Sequence, residues 1–273
     1  RFGYDGTRFA GWARQPGLRT VEGTLQEGLA RAGFAPPDDP RGIPVASRTD
    51  RGVSAIGNAM LLDSTLSGGA LLRALNGIAA ELFFSHAVAV DPSFRVRTAE
   101  ERAYRYFEIG PGIEARRYRR WAAMLTGRID VRSFGRRLPD GGPVWRDVTE
   151  VRVTPTPGGA IVEVRAPSFV WGMVRKMISA LRGLDSGRVS EAEVRSALSG
   201  GHRLALPLAE PEPLVLWDVR YPVAWTHISG TYGRHQLRYW AESRKAWASR
   251  GPVLGSVGLP PLGEIGVRPG RSA

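Results

Sequence analysis

The residues best placed to do chemistry lie in the run Ala46-Ser47-Arg48-Thr49-Asp50-Arg51-Gly52-Val53-Ser54-Ala55, where an apolar stretch gives way to a glycine-containing loop. A single acid, Asp50, sits there close to two arginines. Cationic neighbours favour the ionised carboxylate, so Asp50 reads as a charged nucleophile rather than a neutral acid. The competing reading is an aspartate that holds a turn through local backbone hydrogen bonds, with the arginines merely solvated. On residue types alone that second reading is the commoner. The chain has no cysteine, which excludes thiolate catalysis, disulfides and cysteine zinc sites. His86, His202, His227 and His235 are scattered without an HExxH or similar spacing, so neither a metal nor a cofactor is expected.

Positioning such a loop requires elements on both sides of it. Thr20 has the character of an N-cap for a helix from Val21, with Val21, Leu25, Leu29 and Ala32 on one face and Gly33 at its end. After a Pro/Asp-rich linker at 36–42, residues 43–48 and 55–62 look extended. A short helix over 70–80 and a strand over 83–90 complete a first α+β unit. A second unit opens near Phe94. Its strand 102–109 places Tyr104, Tyr106 and Glu108 on one side, and residues 151–155 and 160–165 form a hairpin whose loop reads as longer than the tightest turns. A helix is expected from Ser168 with Val170, Val174, Met177, Ile178 and Leu181 as its apolar stripe. Ser190 and Glu193 have capping-box spacing, and 214–221 reads as a closing strand. Beyond it lie a helix at 234–249, expected to pack on the second unit through Leu237, Trp240, Ala241, Arg244 and Trp247, and a Gly/Pro-rich end at 251–270. The domain reading is therefore 1–93, 94–225 and an extension 226–273. The chain opens at Arg1 without a methionine, so a few residues are expected to precede it.

Charge narrows the partner. The net charge is +12, with 42% hydrophobic and 23% charged residues, a composition that folds and that faces a polyanion such as nucleic acid or an anionic membrane surface. Nearly all the cations are arginine, which grips phosphate bidentately and stacks on bases; the only lysines are Lys176 and Lys245. A GC-rich genome explains the arginine-to-lysine ratio but not the excess of cations. No apolar run reaches the length of a membrane span and no signal-peptide pattern is present, so the expected location is cytoplasmic.

Ser47 to Ala55 resembles the R-T-D-x-G-V-x-A signature of the TruA-type tRNA pseudouridine synthases. Tyr4-Asp5-Gly6-Thr7-Arg8-Phe9-Ala10-Gly11-Trp12 is similar to that family's opening Y-D-G-T-x-F-x-G-W. Arg102-Ala103-Tyr104-Arg105-Tyr106 resembles its basic-x-Tyr-x-Tyr strand, Ser168-Phe169-Val170-Trp171-Gly172-Met173-Val174-Arg175 its S-F-x-x-x-M-V-R helix, and Leu216 to Tyr221 its terminal strand. The resemblance runs over roughly residues 2–221. Where many bacterial members carry histidine this chain has Ser54, as archaeal and eukaryotic relatives do, and 97–101 is one residue off the usual spacing.

The resemblance implies two ferredoxin-like α+β halves with mainly antiparallel sheets meeting at a central RNA-binding cleft, a homodimer, and tRNA as partner, with no membrane and no small-molecule cofactor. It implies Asp50 as the catalytic nucleophile and isomerisation of uridine in the anticodon stem-loop. Arg48 then takes the place of an extruded base, Tyr104 stacks on the flipped uracil, and Arg175 holds the Asp50 carboxylate or an RNA phosphate. By their own types, Arg48 is equally a salt-bridge partner, Tyr104 a core residue and Arg175 a solvated flank. Arg8, Arg14, Arg116, Arg117, Arg119 and Arg120 are candidates for the RNA backbone track. Two other classes compete: a catalytically silent protein that binds structured RNA, and an RNA hydrolase, which would need paired acids or metal ligands where the sequence around Asp50 supplies arginines.

Overall fold

The computed structural model describes residues 1–34, 42–110, 113–136, 138, 142, 144–227 and 230–248. The expected linker, apart from Gly42, and the Gly/Pro-rich end at 251–270 lie outside them. The chain divides into two compact units, residues 1–99 with 221–273, and residues 100–220. No helix among the described residues is long and apolar enough to cross a membrane.

The first unit begins with β1 (Phe2–Tyr4), α1 (Val21–Arg31), β2 (Ser54–Asn58), α2 (Gly68–Asn76), β3 (Leu82–Phe84) and the short β4 (His86–Ala87). Its strands lie in the order β3-β1-β2, each pair antiparallel. Phe2 and Tyr4 share one face of β1, where their rings pack with Trp12 at 6.0 and 6.3 Å between centroids. Thr20 caps α1 as its spacing predicts, its hydroxyl accepting from the Gly23 amide at 3.2 Å. The helix gives way before Gly33, whose φ of 79° no β-carbon residue adopts cheaply. The strand expected at 43–48 is reduced to a single bridge, Val45 with Met60. The reason is Asn58, fully buried, whose side chain stands in for ladder bonds: its oxygen accepts from the amides of Ser47 (3.3 Å) and Ala59 (2.9 Å), and its amide donates to the Ser47 carbonyl at 2.9 Å.

The second unit holds β5 (Glu101–Ile109), α3 (Ala115–Ala122), β6 (Gly127–Asp130), β7 (Trp145–Val148), β8 (Glu150–Thr156), β9 (Gly159–Ala166), α4 (Met173–Asp185), α5 (Glu191–Leu198) and β10 (Leu214–Arg220). Four antiparallel strands run in the order β10-β5-β9-β8. With α3 after β5 and α4 after β9, this is a β-α-β-β-α-β unit of ferredoxin-like order, while β6 and β7 pair separately. The β8–β9 turn is the two-residue Pro157-Gly158, shorter than its sequence suggested, because Gly158 at φ 82° lets the ladder close at Thr156 and Gly159. Helix α4 starts at Met173 rather than Ser168, since Gly172 is left-handed at φ 77° and cannot continue a helix. The Ser190–Glu193 capping box forms in full.

One face of β5 carries Tyr106 and Glu108 into α4. Arg182 grips Glu108 with two bonds of 2.7 and 3.0 Å and Glu210 with one of 2.6 Å, and burial pushes the Tyr106 phenol up. The other face carries a ladder in which Glu163 is hydrogen-bonded by Arg105 and, at 2.7 Å, by Arg165. Burial opposes ionisation of Glu163, but the two guanidinium groups outweigh it and hold the carboxyl below its ordinary value. A depressed carboxylate contributes stability that is complete above its unfolded value and is lost as pH falls through the folded one. We therefore expect urea midpoints to drop between about pH 6 and about pH 3 by more in the wild type than in Glu163→Gln; equal drops would contradict this role.

The chain then returns to the first unit with β11 (Thr226–His227), paired to β4, and α6 (Arg234–Ala248). The packing expected for α6 on the second unit is corrected: the contacts of its described side chains are with the first. Trp240 meets the Phe83 ring edge-on at 5.3 Å, and Gln236 donates to the Leu82 carbonyl at 2.6 Å and to the Asn76 side chain at 3.1 Å. Gly3 makes room for Phe83, since a β-carbon there would lie 2.3 Å from that ring. Pairings separated by more than 150 residues leave no local trace in sequence. The side chains of Arg244 and Trp247 lie outside the described set.

Candidate active site

Asp50 lies in the loop that leads into β2, half-buried, with exposed Arg48 two residues before it and exposed Arg51 just after it. The loop closes as a turn in which the Val53 amide donates to the Asp50 carbonyl at 3.1 Å, and Gly52 supplies the positive φ of 83°. Thr49 is buried, and its hydroxyl is 2.8 Å from that of Tyr4. The Trp12 amide donates to the Thr49 carbonyl at 3.0 Å. The opening motif and the Asp50 motif, some forty residues apart, thus fold onto each other.

The close fit is set by two glycines. Gly11, at φ 105°, lies against the Thr49–Arg51 backbone, where a β-carbon would be 3.1 Å from the Arg51 amide nitrogen. Gly6 is tighter still: a β-carbon would come within 2.0 Å of the Val53 carbonyl oxygen. The Gly6 amide donates to the Ser54 hydroxyl at 3.0 Å. Ser54 is therefore a buried clasp between the two motifs, which gives this departure from the commoner histidine a structural function. Glu22 on α1 acts similarly, its buried carboxylate accepting from the amides of Ile43 (3.0 Å) and Arg14 (3.2 Å).

Sequence reasoning missed Glu22 and Asn58, whose only signal was a polar residue set among buried ones. It also missed Tyr239. That phenol, on α6, donates to Asp5 Oδ2 at 2.6 Å, while Asp5 Oδ1 accepts from the Thr7 amide at 3.1 Å and hydroxyl at 2.6 Å. Burial, then Asp5, pushes the Tyr239 phenol up against the opposing pull of Arg8. A hydrogen bond to a buried carboxylate contributes about 1.5–3 kcal/mol, so Tyr239→Phe should destabilise the chain by about 2 kcal/mol in urea unfolding. An unchanged midpoint would show that Asp5 is satisfied without it.

Of the remaining predicted residues, Arg8 and Arg14 are exposed in the first unit. Tyr104, Arg175, Arg116 and Arg117 fall in the second. There the Tyr104 ring is 8% exposed and meets Phe169 edge-on at 5.0 Å, which brings the tyrosine strand and the Ser168–Arg175 motif together. Arg175 donates through Nε to the Ala209 carbonyl at 2.6 Å. Arg116 is exposed on α3, whereas Arg117 is paired with Glu114 at 3.1 Å and Asp185 at 3.3 Å, and Arg120 with Glu191 at 2.7 Å. Arg119 donates to the Val153 carbonyl at 3.0 Å. No group of three metal-binding side chains occurs among the described residues.

Comparison with known proteins first supplies a class. The family model described as tRNA pseudouridine synthase matches residues 121–222. Full-length relatives then narrow it. The tRNA pseudouridine synthases A of Thermococcus gammatolerans and Thermococcus kodakarensis are each 36% identical over 224 residues, which is 81% of this chain and 84% of theirs. That of Methanothrix thermoacetophila is 33% identical over 258 residues, 93% of this chain and 94% of its own. The chain belongs to the tRNA pseudouridine synthase A family. Among solved structures, a chain of a Cbf5-Nop10-Gar1 complex aligns at TM-score 0.35 and 11% identity over 79% of this chain and 56% of its own, too loose a likeness to bear on function.

Proposed function

We propose that this protein isomerises uridine to pseudouridine in the anticodon stem-loop of tRNA, at roughly positions 38 to 40, with Asp50 as the nucleophile. The observation that carries this reading is how the Asp50 loop is held. Its backbone is clamped by Trp12, Gly11 and Gly6, so a charged side chain is presented from a scaffold with little freedom, as a preorganised nucleophile requires. Family membership supports tRNA as substrate.

The reaction breaks an N–C glycosidic bond, turns the base and rejoins it to the ribose through a ring carbon. Atoms balance with no reagent consumed, and one ionised carboxylate acting on ribose or base suffices. The target base is stacked or paired, and extruding it costs about a few kcal/mol. Arg48 fills the vacated place with its planar guanidinium, Tyr104 stacks on the uracil, and Arg175 neutralises the Asp50 carboxylate or an RNA phosphate. Arg8, Arg14, Arg116 and Arg117 contact the RNA backbone. The working form is a homodimer in the cytoplasm.

Incubating unmodified tRNA with the protein and digesting it to nucleosides tests the reading. Pseudouridine of unchanged mass from an intact RNA chain is expected. Cleaved RNA would point to a hydrolase, and bound but unaltered RNA to a silent binding protein.

A further inference from the structure

A cluster of three cations around an exposed indole stands apart from the residues given roles above. In the second unit, Ser133 and Gly135 offer their carbonyls to Lys176 Nζ, both at 3.2 Å. The Leu204 amide donates to the Ser133 hydroxyl at 3.0 Å, which ties the segment carrying Arg203 to the same place. The Arg136 amide donates to the Trp171 carbonyl at 2.9 Å, and its guanidinium lies 4.6 Å from the indole centroid. Trp171 is 41% exposed, and Arg136 and Arg203 are exposed.

Among the described residues none of Arg136, Lys176 and Arg203 forms an ion pair with a carboxylate, although Arg117, Arg120, Arg132 and Arg182 of the same unit all do. Burial, and then Arg136 and Arg203, lower the Lys176 pKa, so both arginines repel its ammonium. Like charges gathered in one place destabilise the free protein, and an arriving anion relieves the repulsion. An indole with arginine stacked on it is in addition a platform for a base, because every base has a π-face. A free phosphate would use the cations but leave the exposed indole without a part.

We propose that Trp171, Arg136, Lys176 and Arg203 form a second RNA-docking surface, the indole stacking on an unpaired base and the three cations holding its flanking phosphates. It rests on the proposed function only in naming tRNA as the RNA. It adds contacts that the Asp50 loop and the arginines of α3 do not make.

Fluorescence anisotropy of the full chain with an unmodified tRNA transcript, across a salt series, tests it. Trp171→Ala should raise Kd about fivefold or more, and Trp171→Phe should recover most of that loss by restoring a ring. The double variant Arg136→Ala/Arg203→Ala should weaken binding and lower the slope of log K against log salt by about 1 to 2. That slope decides the matter if Trp171→Ala proves unfolded by circular dichroism. Wild-type Kd and slope in folded variants would overturn the surface. Pseudouridine formation by the wild type together with unaltered binding by these variants would sink the docking surface alone. Binding that depends on Trp171 without any pseudouridine would sink the enzyme reading and keep the surface.

Discussion

Asp50→Asn should lower the single-turnover rate of pseudouridine formation by at least about 10³-fold, the equivalent of about 4 kcal/mol of barrier. The amide keeps the size and shape of the carboxylate but not its charge, and a neutral amide is no nucleophile. The loop should keep its form, because it is held by the Thr49 hydroxyl against Tyr4 and by backbone bonds from Trp12 and Val53. Retained tRNA binding with lost turnover is thus the expected pair of results, read by anisotropy and by quench-flow. A residual rate within about tenfold of wild type would remove Asp50 from the chemistry.

Gly6→Ala should be the most damaging single methyl in the first unit. The added carbon would sit 2.0 Å from the Val53 carbonyl oxygen and 2.2 Å from its carbon, and backbone atoms cannot swing aside as a side-chain tip can. Either β1 and its following turn or the Asp50 loop must move. Overpacking of this kind costs about 1–3 kcal/mol, and we expect the upper end, on the order of 3 kcal/mol in urea unfolding, with turnover lost even in the folded fraction. Gly17→Ala is the control for backbone strain without overpacking: unlike Gly6, Gly17 has a positive φ, 71°, and a β-carbon there meets nothing within 4 Å. Only the backbone strain remains, about 1–2 kcal/mol. If the two variants lost equal stability and Gly6→Ala kept its turnover, the clamp on the loop would not matter.

What could be read from the chain in advance follows the range of the interactions. The Thr20 cap and the Ser190–Glu193 box act over three residues, so their spacing was legible and both formed. The β5, β8, β9 and β10 alternation was legible for the same reason. Ser168 looked like the start of α4, but the sign of φ at Gly172 decides that boundary and composition does not reveal it. The extended reading of 43–48 survived only as one bridge because the Asn58 amide takes over the backbone pairing, a substitution no periodicity announces. For the candidate site, motif residues pointed to the Asp50 loop, whereas its supports come from afar: Tyr239 reaches Asp5 across most of the chain, and Ser54, in sequence a mark of lineage, bonds the Gly6 amide.

The most direct measurement is carbodiimide labelling with primer-extension mapping of unmodified tRNA transcripts after incubation with wild type and with Asp50→Ala. Stops confined to the anticodon arm, present with wild type and absent with the variant, are the predicted result and would join reaction, site and nucleophile in one experiment. Stops elsewhere, stops that persist in the variant, or none from a wild-type protein that binds the RNA would contradict the account.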